Sequence, residues 1–569
     1  MGMGTSDGTA EFARVEGSDR QPLPDAERIG GIDRKRQMDV TVVMRRKSGA
    51  AVRAATPPAP GDDIAGWRRD LRQRPATEAG ADTTELDAVT SYLTSRGLSI
   101  EAADAGQRRI VVRGDVDQME AAFNVELDLY QAGDIRYRGR EGHVHLPPDI
   151  ADYVEAVLGL DDRPQARIHM KRGDAMDEAV LPHPRENPMT RLQARAEATP
   201  SPAPLWPMQV AQMYDFPTGV DGTGQTIAII ELDGGFRDTD LDTYFSQAGL
   251  RRPDVIAIPV DANTPGISDA DGEVMLDIEV SAAIAPGSRI VVYFGTDPDS
   301  GFYDAVSAAI HDDTNSPSTI SISWGAPENG WTEQGMRVFD KLFEDAAALG
   351  ITVLVAAGDH GAGDAAMDDQ QHADFPASSP NAIACGGTTL IAEPDEKIAS
   401  EVVWNDGDGW ATGGGFSRTF PRPDWQAAIA STEDVGGRGV PDVARQCRHH
   451  VGLHRAGERA LGTDRGHERC GAALRRALRP DGRAARASAD RDAPGALHRA
   501  GDDVYGHHGW QQQHARHGGL RPGCHGVLRG HGMGCVYRAR QHRGHGAHDV
   551  SPDAAGDDRS EDSLSGPTP

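Results

Sequence analysis

The chain runs to 569 residues, room for two to four ordinary domains and at least one sizeable buried core. Its formal net charge of −29 is gathered in the middle, where residues 201–444 hold 10 Lys and Arg against 39 Asp and Glu, a surface that excludes nucleic acid as the main partner because neutralising phosphate takes Lys and Arg. The longest apolar run of the plausible core, Ile351 to Ala357, falls far short of the roughly 20 residues that span a bilayer, so no membrane helix and no membrane partner are expected.

Residues 1–37 are rich in Gly, Asp, Glu and Arg, contain no apolar stretch of a conventional secretion signal, and are expected as a disordered N-terminus. Residues 38–165 alternate strand-like and helix-like segments and predict a small α+β domain. Met38 to Met44, Arg109 to Arg113 and Glu126 to Tyr130 read as strands, and Glu85 to Leu98 as an amphipathic helix. Asp115 to Phe123 reads as a second helix capped by Asp115, and Pro147-Pro148 opens a third that ends near Gly159. Residues 166–203, rich in Arg, Glu, Pro and Met and without a sustained period, read as an exposed linker and a natural place for cleavage.

From Gln225 the pattern changes to short apolar, β-rich runs: Thr226 to Leu232, Arg289 to Phe294, Thr319 to Ser323 and Ile351 to Ala357. Helical segments such as Glu273 to Ile284 and Glu333 to Leu349 separate them. Residues 204–444 therefore predict an α/β domain, a parallel sheet with helices on both faces. Only Cys385 of the five cysteines lies before residue 445, so this region holds no internal disulfide.

Residues 445–569 contain no Ile, Phe, Lys or Asn, yet carry 14 of the 21 histidines. A packed core is not expected from them, and in their own frame they read as a disordered tail. A basic tail or a His-rich metal-binding tract does not explain the abrupt change after Ala444. Back-translation with the frame moved one base downstream does. Arg445 to Val451 then permits Gly-Asn-Ala-Asp-Thr-Thr-Ser, and Asp464 to Leu474 permits a run containing Gly-Gly-Thr-Ser-Ala, its serine codon straddling Glu468 and Arg469. Trp510 to Arg516 and Met533 to Gln541 are coherent under the same shift, and Met533 followed by Gly534 forces a tryptophan. One extra base near codon 445 accounts for all four windows.

Two motifs carry chemistry. Asp271 to Glu279 starts a helix and sets Glu273 and Asp277 at i and i+4, so both carboxylates share one face. A solvated acidic face would give the same spacing, but Met275, Leu276, Ile278, Ala282 and Ala283 point to a mostly buried helix, where paired acids do acid/base work. Val353 to Gly361 is an apolar strand entering a Gly-flanked turn that presents Asp359 at the strand's C-terminal end, the edge that favours ligands in α/β sheets. An ordinary turn aspartate is the plainer alternative. His360 is given no role.

Together with Ser321-Ile-Ser-Trp-Gly325, Gly413-Gly-Gly-Phe-Ser417 and Arg438-Gly-Val-Pro-Asp-Val443, these motifs resemble the sedolisin family, particularly its kumamolisin-like members, over nearly all of residues 38–444. The resemblance implies a subtilisin-like sheet preceded by a ferredoxin-like activation prodomain over residues 38–165, which acts as intramolecular inhibitor and chaperone. It assigns Glu273 as base, Asp277 as its orienting partner, Asp359 as the oxyanion group, and Ser323, Trp324 and Gly325 to substrate binding. It implies polypeptide substrates, acid catalysis and an extracellular setting. The family's nucleophile lies in Gly-Thr-Ser-Ala-x-x-Pro and its Ca2+ ligands in an Asp-Ile pair and a Gly-rich loop ending in Asp; both are missing here and appear only in the shifted frame. The literal chain is therefore expected to hold no metal and to be inactive. Its alternatives are a catalytically dead binding protein with a peptidase fold, and an unstable fragment.

Overall fold

The structure is a computed structural model that describes residues 12–448 except 48–51, 60–61, 73–79, 173–204, 262–265, 267, 367, 369, 394–396, 408 and 429–435, and beyond them 464–466. In the N-terminal unit the strand Gln37–Met44 lies antiparallel between Arg109–Asp115 and Val154–Leu158, with Ser99–Asp104 outside Arg109–Asp115. The helices Thr83–Ser95 and Val116–Phe123 complete the strand and helix order of a ferredoxin-like unit. Asp82 caps the first helix through the amides of Thr84 and Glu85, and Asp115 forms a reciprocal capping box with Gln118 on the second. The period of two along the central strand serves two cores. Val40, Val42 and Met44 face this unit's own helices, while Val43 enters the core of the larger unit.

Three expectations are corrected here. Residues 12–37 are not a disordered terminus: Ala13–Arg14 pairs with His145–Leu146, Glu27–Gly31 pairs with Asp128–Ala132, and Val15 and Ile32 enter the core. Residues 1–11 lie outside the described residues. The helix expected from Pro148 to Gly159 stops at Ala151, and Val154–Leu158 forms an edge strand instead, because its apolar residues are buried against Gln37–Met44. Within the stretch expected as an exposed linker, Arg167–Ile168 is a strand paired to the larger unit and Met170–Arg172 a strand paired to Asp464–Gly466.

In the larger unit the sheet runs Val255–Pro259, Arg289–Phe294, Thr226–Glu231, Thr319–Ile322, Thr352–Ala356 and Ile383–Ala392, all parallel. Ile398–Val403 adds antiparallel to Ile383–Ala392, and Val443–Arg448 adds parallel to the same strand. Thr226–Glu231 is buried at every position, as a strand covered on both faces must be. This is the subtilisin-like α/β arrangement. The sheet continues past Ala444: Gln446 is buried, its backbone N–H reaching the Tyr214 hydroxyl at 3.0 Å. Apart from residues 445–448 and 464–466, the tail expected to be disordered and frameshifted lies outside the described residues.

Ion pairs join the two units. Glu155 meets Arg337 and Lys341, each at 2.7 Å, Arg46 and Arg108 meet Asp345 at 2.7 and 3.1 Å, and Arg109 meets Asp304 at 2.9 Å. Asp304 also accepts the Thr41 hydroxyl, and Asp297 accepts the amides of Gln165 and Ala166. Burial outweighs these partners and pushes both Asp297 and Asp304 up to about 6. A carboxyl raised on docking takes up a proton, so its contribution is full below about 4 and is lost as pH rises through about 6. Glu155 has the opposite sign: burial raises it, but Lys341 and Arg337 together hold it below its ordinary value, so its contribution fades only in strong acid. Each of the two carboxyls is therefore expected to make the N-terminal unit hold about tenfold more tightly at pH 5 than at pH 7.5. Hydrogen exchange of the amides at this interface measures it, with Asp304→Asn flattening the profile; a hold that loosens steadily from pH 7.5 to 5 would contradict the assignment.

Candidate active site

The helix Asp271–Ile284 is buried along nearly its whole length, with Glu273 at 0% and Asp277 at 1% exposure. The solvated acidic face is thereby excluded. The helix starts where the Asp271 carboxylate accepts the amides of Gly235 and Ser268. One turn further, Asp277 accepts a hydrogen bond from the Ser323 hydroxyl at 3.2 Å. Ser323 itself follows the strand Thr319–Ile322 at its C-terminal edge and is buried.

Asp359 leaves the adjacent strand, Thr352–Ala356, at the same edge of the sheet, where Ile322 pairs with Val355. It is fully buried. The turn that carries it is made by Gly358 at φ +101°, a left-handed conformation that suits glycine. The Gly413 backbone closes over this turn: Gly413 donates to the Gly358 carbonyl, Ala411 donates to the Asp359 carbonyl at 2.9 Å, and a Cβ on Gly413 would sit 1.8 Å from the Ala357 oxygen. Glycine is thus needed at 413, where two backbones meet.

Ser323, Trp324 and Gly325 form the wall of a groove, and the groove is filled by the chain itself. Arg167 pairs with Gly325 and Ile168 with Trp324, antiparallel, and the His169 amide donates to the Ser323 carbonyl at 3.1 Å. An extended segment added to an exposed edge is how sheets bind peptides. The His169 imidazole is fully buried 3.3 Å from Asp374, and Arg167 lies 3.0 Å from Asp364. Burial holds His169 down at about 4 and lifts Asp374 to about 8. Burial and the neighbouring Asp374 raise Asp364 well above the ordinary range.

All six residues singled out in the sequence thus lie at or beside one end of the sheet, Asp277 and Ser323 in direct contact. Sequence reasoning missed Glu231, which accepts the Trp324 indole N–H at 3.0 Å, and the acids that receive His169 and Arg167. Glu231 had a signal, a lone acid inside the apolar run Thr226 to Leu232. Asp364 and Asp374 had none, because they sit among loop aspartates of the same composition. Among the described residues no group of three or more His, Cys, Asp or Glu could hold a metal ion.

Comparisons with known proteins agree with this architecture. A model of the pro-kumamolisin activation domain matches residues 71–163, and a model of the subtilase family matches residues 261–475. Kumamolisin of Bacillus sp. (strain MN-32) is 41% identical over 442 residues, covering 76% of this chain and 77% of that protein. Tripeptidyl-peptidase sed5 of Aspergillus fumigatus is 27% identical over 491 residues, covering 75% and 78%. The solved structure of Pseudomonas sedolisin, a serine-carboxyl proteinase complexed with two molecules of pseudo-iodotyrostatin, is 26% identical, with a TM-score of 0.43, covering 48% of this chain and 79% of that one.

Proposed function

Since the chain belongs to the sedolisin family and carries that family's activation domain, we propose that it is the proenzyme of an acid endopeptidase whose nucleophilic serine is encoded one base out of frame. The observation that carries this reading is the groove. A segment of the chain lies in it in the manner of a peptide substrate, and the residue that accepts its backbone, Ser323, also touches Asp277.

The chemistry follows from the residue types. A serine hydroxyl is a poor nucleophile until a base takes its proton. Glu273 is that base, and Asp277, one turn along the same helix, holds it in place as the third member of a triad holds the second. Attack on the peptide carbonyl breaks its π bond and leaves an oxyanion, to which protonated Asp359 donates a hydrogen bond. Collapse passes the proton from Glu273 to the leaving amine; water then releases the acyl group by the same route. Because Asp359 can donate only while it holds a proton, the enzyme works in acid and fails toward neutrality.

In the literal chain the serine is absent and turnover is lost. The shifted frame places its serine at the junction of codons 468 and 469. Calcium belongs to the shifted frame as well, because its ligands would come from there. The family resemblance favours an extracellular enzyme; among the described residues, no helix is long and apolar enough to cross a membrane.

Restoring the frame by one base at codon 445 and measuring proteolysis of denatured protein at low pH tests the reading. In the restored chain Asp359→Asn should lower kcat by about 10² to 10³, the cost of one oxyanion donor, and should flatten the fall in activity toward neutral pH. An unchanged pH profile would assign the oxyanion role elsewhere.

A further inference from the structure

Ser323 has two functions in the groove, carried by two different atoms. Its carbonyl accepts the His169 amide at 3.1 Å, the position of a substrate backbone, while its hydroxyl donates to Asp277 Oδ2 at 3.2 Å. Both side chains are at 1% exposure. A hydrogen bond to a carboxylate in such surroundings is strong, since water does not compete for either partner. The neighbouring residue repeats the pattern: Trp324 pairs through its backbone with Ile168 and gives its indole N–H to the buried Glu231. The substrate-binding strand is therefore also a donor strand for buried acids behind it.

We propose that Ser323 is a positioning residue for the acid pair, its hydroxyl fixing the Asp277 carboxyl so that the other oxygen faces Glu273, independently of its backbone role in holding peptide. The proposal rests on the reading of Glu273 and Asp277 as base and partner. Its consequence concerns the proton count of the pair. A donated hydrogen bond favours the ionised carboxyl, so the pair keeps one negative charge, and with it a usable base, further into acid than it could alone.

Asp277 Oδ2 receives Ser323 from the strand end, and Glu273 lies one turn away on its own helix. Asp359 stands at the same sheet edge, on the next strand. Removing the hydroxyl changes none of those charges. It takes away one donor.

The test has two arms. In the full chain as it stands, infrared difference spectra of the Asp277 carboxyl stretch, assigned with Asp277→Asn, are followed against pH. Ser323→Ala should move the Asp277 titration up by about one unit, the worth of a hydrogen bond to a charged group, and Ser323→Thr should return it. In the frame-restored chain, Ser323→Ala should lower kcat about tenfold, leave KM within about twofold, and move the acid limb of the pH profile up by about the same unit. An Asp277 titration that does not move overturns the proposal whatever the activity shows. A restored chain with no activity counts against the proposed function alone, and the spectroscopic arm still decides. A rise in KM with kcat and the pH profile unchanged would reduce Ser323 to its backbone role and also overturn the proposal. Ser323→Cys, which keeps the volume and weakens the donor, replaces Ser323→Ala should that variant not fold.

Discussion

Shifting the reading frame by one base at codon 445 is expected to raise proteolysis of acid-denatured protein by on the order of 10⁶, the size of effect seen when a triad nucleophile is removed from other serine peptidases. The literal chain already has the groove, the buried helix with Glu273 and Asp277, and the turn with Asp359. It lacks the atom that forms the new bond, together with the other residues that the shifted frame encodes. The measurement is peptide release from a denatured protein at low pH, comparing the literal and the restored chains made from otherwise identical DNA. No gain in the restored chain would defeat the frame reading.

Glu273→Gln in the restored chain should be nearly as severe, with kcat falling by on the order of 10⁴ or more, because an amide cannot take the serine proton. Gln keeps the volume and the polar character of a side chain at 0% exposure, so the packing of Val274, Met275 and Ile278 around it is preserved. Binding should change little, and a covalent acyl intermediate should no longer accumulate in single-turnover mixing. A loss of binding in step with kcat would show instead that the substitution had disturbed the groove. Leaving kcat unaltered would remove Glu273 from the mechanism.

Much of the fold was legible because its elements are written in local patterns. Runs apolar at nearly every position, such as Thr226 to Glu231 and Arg289 to Phe294, have one good solution, a sheet covered on both sides, and that is where they lie. Glu273 and Asp277 were legible because acids at helical spacing among Met275, Leu276 and Ile278 contradict a solvated surface. What escaped was structure supplied by a distant partner. Arg167, Ile168 and His169 have no period of their own and are extended only because Ser323 to Gly325 offer them an edge. Val154 to Leu158 follows a Pro-Pro pair that does open a helical turn, but the free edge of Gln37–Met44 takes the next residues as strand. The Ser323 to Asp277 contact joins residues 46 apart in sequence, and no spacing rule spans that distance.

The N-terminal residues illustrate the same principle in a segment whose composition suggested no structure at all. Gly17, at φ +70°, brings its carbonyl to the Gln334 amide in the first turn of the helix Glu333–Ala348, and a Cβ there would lie 2.9 Å from that nitrogen. Arg337 donates to the Glu16 carbonyl, and buried Arg20 donates to both the Gly330 carbonyl and Gln165. Residues 16–20 therefore act as a fastening between the two units, although the activation-domain match begins only at residue 71. A polypeptide started at Met38 would keep every strand of the ferredoxin-like sheet and lose that fastening, so where translation begins would govern how firmly the inhibitor is attached to the enzyme it restrains.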